Sequence, residues 1–154
     1  MSASSNSLRR DRRGGSAIEF ALIAPVLLAL ILAVTEVARF INQADAVEKS
    51  LRSAAAFAAR SEIPLDGSVT ATVQNLVRTG TPDGSGPFIV PGWAEGGASI
   101  VVETFTAAVD GEDMDVIRLT ATVPFVPLTP GLVAMFGLGA LQIQTSHEQT
   151  HMGI

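Results

Sequence analysis

The chain has 154 residues, 47% hydrophobic and 16% charged, with 14 Gly, 8 Pro and a mean hydropathy of +0.39. That is too apolar for a disordered tail and too short for more than one small domain with accessories. The charged fraction lies below the roughly 25% of ordinary soluble domains, which points to apolar residues concentrated in a membrane segment. The absence of Cys excludes disulfides, thiolate zinc sites, iron–sulfur clusters and a cysteine nucleophile.

The net charge of -5 hides an asymmetry. Up to Gly15, Arg9, Arg10, Arg12 and Arg13 stand against Asp11, a net of +3, whereas from Ser61 onward Arg78 and Arg118 face ten acids, a net of -8. Arg-rich flanks resist translocation, so the basic tip is expected in the cytoplasm and the acidic remainder outside. The same acidity argues against nucleic acid, whose phosphates it would repel.

Residues 17–35 read AIEFALIAPVLLALILAVT, which as a helix spans about 28 Å, close to the roughly 30 Å hydrocarbon thickness of a bilayer. Pro25 is tolerated in such a helix where it would break a soluble one. A cleaved secretory signal is the competing reading, but Val34, Thr35, Glu36, Val37, Ala38 and Arg39 follow the run and put charges where a small-x-small site belongs. A twin-arginine signal fits less well still, since Asp11-Arg12 follows Arg9-Arg10.

Beyond the span, Val37, Phe40, Ile41, Ala44, Val47, Leu51, Ala54, Ala55 and Ala58 recur at three- and four-residue spacing, with Asn42, Asp45, Glu48, Lys49 and Arg52 elsewhere. The pattern predicts an amphipathic continuation that Pro64 ends, giving a rod of about 65 Å over residues 17–60. Such a rod packs either on its own domain or on other copies.

The remainder predicts a small α+β domain. Asp66 or Ser68 caps a short helix with Val69, Val73, Leu76 and Val77 on one face, and residues 80–97 are Gly/Pro-rich loop. Trp93 and Phe88 in that loop suit the core as well as a partner. Residues 99–109 and 115–125 read as strands joined by an Asp110-Gly111 hairpin, Pro124, Pro127 and Pro130 close the second, and residues 141–146 read as a last strand. Residues 132–138 are apolar but too short and Gly-broken to cross a bilayer. The expected fold is therefore α+β. A long N-terminal transmembrane and amphipathic helix precedes a small extracytoplasmic domain with a short helix and an antiparallel sheet of about three strands. The boundaries are a basic cytoplasmic leader over 1–14, a transmembrane helix over 15–36, its amphipathic continuation over 37–61 and the α+β domain over 62–154.

The informative motif lies at the entry to the span. Gly14 is followed by Gly15-Ser16-Ala17-Ile18, then by Glu19 and Phe20. A carboxylate at the lip of a membrane helix is expensive and wants a partner. A cut after Gly14 frees an α-amino group on Gly15 near this level, and a neighbouring subunit's amine would pair with Glu19. Equally, Glu19 sits at a helix N-terminus, where the dipole and snorkelling favour it.

Arg12-Arg13-Gly14, four residues, then Glu19-Phe20-Ala21-Leu22 and Pro25 before a Leu-rich helix resembles the N-terminus of TadE-like pseudopilins, minor pilin-like proteins of the Tad (Flp) pilus machinery. The resemblance continues in the acid-x-x-Arg step Glu36-Val37-Ala38-Arg39 and the Ala-rich stretch 54–60, and more loosely in Leu119-Thr120-Ala121-Thr122-Val123-Pro124-Phe125 with Pro127 and Pro130. It implies processing by a membrane prepilin peptidase at Gly14 and Gly15, with Glu19 and Phe20 serving assembly. It further implies that the protein is a non-catalytic, single-pass component of a bacterial inner membrane, cytoplasmic at its N-terminus and periplasmic at its C-terminal domain, and is retained there or taken up into a pilus. The implied partners are the prepilin peptidase, other minor pseudopilins and the Flp pilin, the inner-membrane assembly platform and the lipid bilayer, with no cofactor or metal. A cut after Gly14, not Gly15, leaves Glu19 at mature position five, and Phe20 stands where Flp pilins usually carry Tyr. The alternative is an unprocessed, single-span, membrane-anchored periplasmic domain.

His147-Glu148-Gln149-Thr150-His151 spells H-E-x-x-H, a zinc-protease signature that requires a helix to bring both histidines onto one face. The preceding Leu-Gln-Ile-Gln-Thr-Ser alternates like a strand, on which the histidines stand roughly 13 Å apart. The acidic run 110–115 lacks the ligand order of a calcium loop and reads as a hairpin turn.

Overall fold

A computed structural model describes residues 12–109, 111–137 and 140–152. The architecture is α+β: three helices and a three-stranded antiparallel sheet among the described residues. Helix α1 (Arg12–Ala58) runs for 47 residues, about 70 Å at 1.5 Å per residue, with Pro25 inside it. Its last backbone bonds tighten to three-residue spacing, Arg60 N–H to the Phe57 carbonyl at 3.2 Å and Ser61 N–H to that of Ala58 at 3.0 Å. The helix thus ends ahead of Pro64.

Helix α2 (Gly67–Thr79) starts where Asp66 accepts a hydrogen bond from the Val69 N–H at 2.7 Å. It stops at Gly80, whose φ of 74° lies in the left-handed region and whose N–H reaches the Leu76 carbonyl at 2.9 Å. Of the two predicted caps, Asp66 serves; Ser68 donates its hydroxyl to the Asp66 carboxylate at 2.8 Å. Val73 and Val77 of α2 are fully buried.

Strands β1 (Ser99–Val109), β2 (Glu112–Pro124) and β3 (Gln142–Thr150) form a meander in the order β1-β2-β3. Strand β1 matches the predicted range. Strand β2 starts three residues earlier than expected, because Val109 pairs with Glu112 directly across the two-residue turn, with Gly111 at φ 87°. The Asp110 half of that turn lies outside the described residues. Along β2, Ile117, Leu119, Ala121 and Val123 are buried while Arg118, Thr120 and Thr122 are half-buried on the other face, which is the period-two alternation the sequence shows.

The core lies where the distal part of α1 meets α2 and the sheet. Val47, Leu51, Ala54, Ala55, Ala58 and Ala59 are fully buried and pack with Val73, Val77, Ile117 and Leu119. Alanines on this face let the neighbouring elements approach the α1 backbone closely, and each buried Leu or Ile contributes about 1.5–3 kcal/mol. Of the two readings of the rod, the distal part thus packs on its own domain.

The Gly/Pro-rich segment holds a single 3-10 turn, Pro91–Ala94. It places Trp93 in the core and leaves Phe88 half exposed. Gly92 sits so close to β2 that a Cβ there would overlap the Pro124 carbonyl oxygen. Two short elements stand outside the sequence-based expectation, this 3-10 turn and the six-residue helix α3 (Pro130–Met135).

Candidate functional site

The predicted processing and assembly residues lie on the first turns of α1. Gly14 and Gly15 are helical, Gly15 is exposed, and a Cβ added at Gly15 meets nothing within 4 Å. Glu19 lies one turn beyond Gly15 and is exposed, as is Phe20 at 68%. Among the described residues no side-chain hydrogen bond or ion pair engages Glu19. The predicted leader, residues 1–14, falls largely outside the described residues.

From Gly15 the helix is long and apolar enough to cross a membrane, and none of its most apolar window is buried in protein. Ile18, Leu22, Val26, Leu30 and Val34 are all more than half exposed. An apolar surface of this length left bare in water is costly at about 25 cal/mol per Å². Lipid or neighbouring helices must therefore cover it.

The span ends at a buried acid. Glu36 is 7% exposed, and its carboxylate accepts the Leu128 N–H at 3.1 Å, the Thr129 N–H at 2.5 Å and the Thr129 hydroxyl at 2.6 Å. Three donors on one carboxylate replace the water it loses on burial. Thr129 is the residue preceding α3, and its side chain makes no capping bond into that helix; its hydroxyl is directed to α1 instead. Glu36 thereby ties the start of α3 to the outer end of the apolar run. The acid-x-x-Arg step marked this position, but its partners lie 92 and 93 residues away and could not be read from local spacing.

Beside this clamp is an apolar groove of about 330 Å³ between α1 and α3, lined among others by Ala33, Val37, Phe40, Phe125 and Phe136. The Phe40 and Phe125 rings close its inner end in an edge-to-face contact, centroids 5.4 Å apart.

The H-E-x-x-H spelling lies on β3 and its end, without a helix. Glu148 pairs with Arg118 at 2.7 Å, His147 lies opposite Leu119 in the ladder, and the His151 ring is 2.8 Å from the Ser61 carbonyl. Successive strand side chains point to opposite faces, which separates His147 from Glu148. No group of three metal-ligating side chains gathers among the described residues. On the acidic hairpin, the Asp115 carboxylate accepts the Thr106 hydroxyl at 3.0 Å. The sequence and the structure thus concentrate the candidate function on α1: a glycine pair, an exposed acid one turn later, a bare apolar run and a buried acid at its far end.

No curated protein and no solved structure matches the chain. Residues 14–60 match the family model described as TadE-like protein, a match that begins at the glycine pair and ends just past α1, so this segment is similar to TadE-like proteins.

Proposed function

We propose that this protein is a minor pseudopilin of a Tad (Flp type IVb) pilus assembly or secretion system, acting structurally in pilus biogenesis. In this reading a prepilin peptidase cuts between Gly14 and Gly15 on the cytoplasmic side, and residues 15–36 remain as a single inner-membrane span. The sheet domain then stands in the periplasm, as the +3 tip and -8 remainder favour. The observation that carries the reading is the register of the TadE-like match on the structure: it starts at Gly14 and takes in an exposed acid at the mouth of a bare apolar helix.

The chemistry of the entry is suited to these steps. Two adjacent glycines each cost a helix about 1 kcal/mol relative to Ala, so the first turn of α1 opens cheaply for a peptidase. After the cut, the new Gly15 ammonium and Glu19 are four residues apart, one helical turn. The ammonium of one subunit and the carboxylate of the next can then neutralise each other at the membrane lip, where an unpaired charge is expensive.

Complementation of piliation tests the reading. Glu19→Ala is expected to impair piliation while the protein still inserts, and His147→Ala, Glu148→Gln and His151→Ala are expected to leave piliation intact. Loss of piliation in the tail variants with Glu19→Ala behaving as wild type would overturn it. A reporter fused after Ile154 should be active only outside the cytoplasm.

A further inference from the structure

We propose that the segment from Leu128 to Phe136 is an interfacial foot, seated among the lipid chains of the bilayer leaflet on the sheet-domain side, next to α1. The inference goes beyond the pseudopilin reading and rests on one part of it, that α1 spans a bilayer.

Three observations converge on lipid as the occupant. The first is continuity: α3 and the last turns of the apolar run share a groove whose walls include Ala33 and Val37 on one side and Leu132 and Phe136 on the other. Whatever solvent surrounds Ala33 at the end of the span therefore reaches α3. The second is composition. No Asp, Glu, Lys or Arg occurs between Arg118 and Glu148, a stretch of 29 residues, just as none occurs in α1 between Glu19 and Glu36. The two uncharged stretches meet at the Glu36 clamp. The third is exposure: Leu128 is 61%, Met135 83% and Phe136 65% exposed. Singly exposed apolar residues are ordinary, but three within nine residues, beside a membrane helix, form a patch that water does not favour.

The backbone suits a low-polarity site as well. Entering lipid requires that backbone donors find internal partners. The Leu128 and Thr129 N–H groups at the entrance are both taken by Glu36, Pro130 has none, and the Leu132 and Val133 N–H groups reach the Thr129 carbonyl at 3.1 Å. The clamp thus fixes the height of the foot relative to the span and takes up two of the backbone donors that would resist immersion.

The absence of Cys permits single-cysteine nitroxide labelling of the full chain without background. In vesicles of phosphatidylethanolamine and phosphatidylglycerol, labels at Met135→Cys, and separately at Leu128→Cys, should collide several-fold more with oxygen than with a water-soluble nickel chelate. A label at Phe88→Cys should show the reverse, and one at Leu28→Cys should mark the lipid interior. Nickel accessibility at positions 128 and 135 equal to that at 88, with 28 in lipid, would overturn the foot and leave the span standing. Shielding of 128 and 135 from both reagents would assign the patch to a second copy or another protein and equally overturn it. A label at 28 open to nickel would overturn the span and the foot together.

Discussion

The two ends of α1 are made of similar residues and meet opposite fates. Between Glu19 and Glu36 the helix is apolar on every side and largely exposed, whereas from Val47 to Ala58 it is apolar on one side and buried there. The distal part carries Glu48, Lys49 and Arg52 outward, with Arg52 and Glu48 paired at 2.9 Å, and so presents one stripe to α2 and the sheet. The proximal part offers no stripe, because an element covered by lipid has no polar face to turn outward. Hydrophobicity alone therefore does not decide what an element packs on. The charges interrupting it do.

The contrast predicts how variants divide. In the distal part Leu51→Ala should destabilise the sheet domain by about 2–5 kcal/mol, through lost burial and a residual cavity. Leu28→Ala in the span should leave the thermal midpoint of the domain nearly unchanged, both measured on the full chain in detergent micelles. Equal losses in the two would break the contrast. Gly92→Ala should cost about 1–3 kcal/mol, because a Cβ has no room beside the Pro124 carbonyl. Gly15→Ala, with open space around it, should not lower the midpoint.

The junction between the two parts is held by Glu36. Glu36→Gln keeps the shape but sets an amide N–H₂ among donors, and should cost about 1–3 kcal/mol. Hydrogen exchange should then quicken at Leu128 and Thr129 and stay unchanged in α2. The smallest effect is expected at Asp66, whose carboxyl is held below the usual range by the Val69 N–H and the Ser68 hydroxyl. A carboxyl depressed in the folded state stabilises above its unfolded pKa, and this contribution fades as pH falls through the folded value. The deficit of Asp66→Asn relative to wild type should therefore shrink on acidification from roughly pH 5 to pH 2, measured by thermal melts.

What could be read from the sequence follows the range of the forces involved. The hairpin was legible because Asp110-Gly111 separates two alternating runs. Helix α2 was legible because Asp66 stands three residues before Val69, whose N–H it accepts. Strand β3 continues to Thr150, past the predicted end at 146, because Glu148 reaches across to Arg118, and no local pattern announces a partner 30 residues away. Helix α3 escaped because six residues beginning Pro-Gly show no period and are held by Glu36 from the far end of the chain. At the candidate site, the glycine pair, Glu19 and the span were legible as motif and composition. The Glu36 clamp and the groove were not, since they exist only once the chain folds back onto α1.

Under the proposed function, the exposed proximal part of α1 begins, in the working protein, at a newly made N-terminus. N-terminal sequencing of the protein extracted from the membranes of its own host tests this most directly, with Gly14→Arg as a variant that should accumulate uncut. Gly15 is expected as the first residue of the native protein, and an intact leader in the variant. A native protein that still begins at Met1 or Ser2 would contradict it and leave a membrane-anchored domain that is never processed.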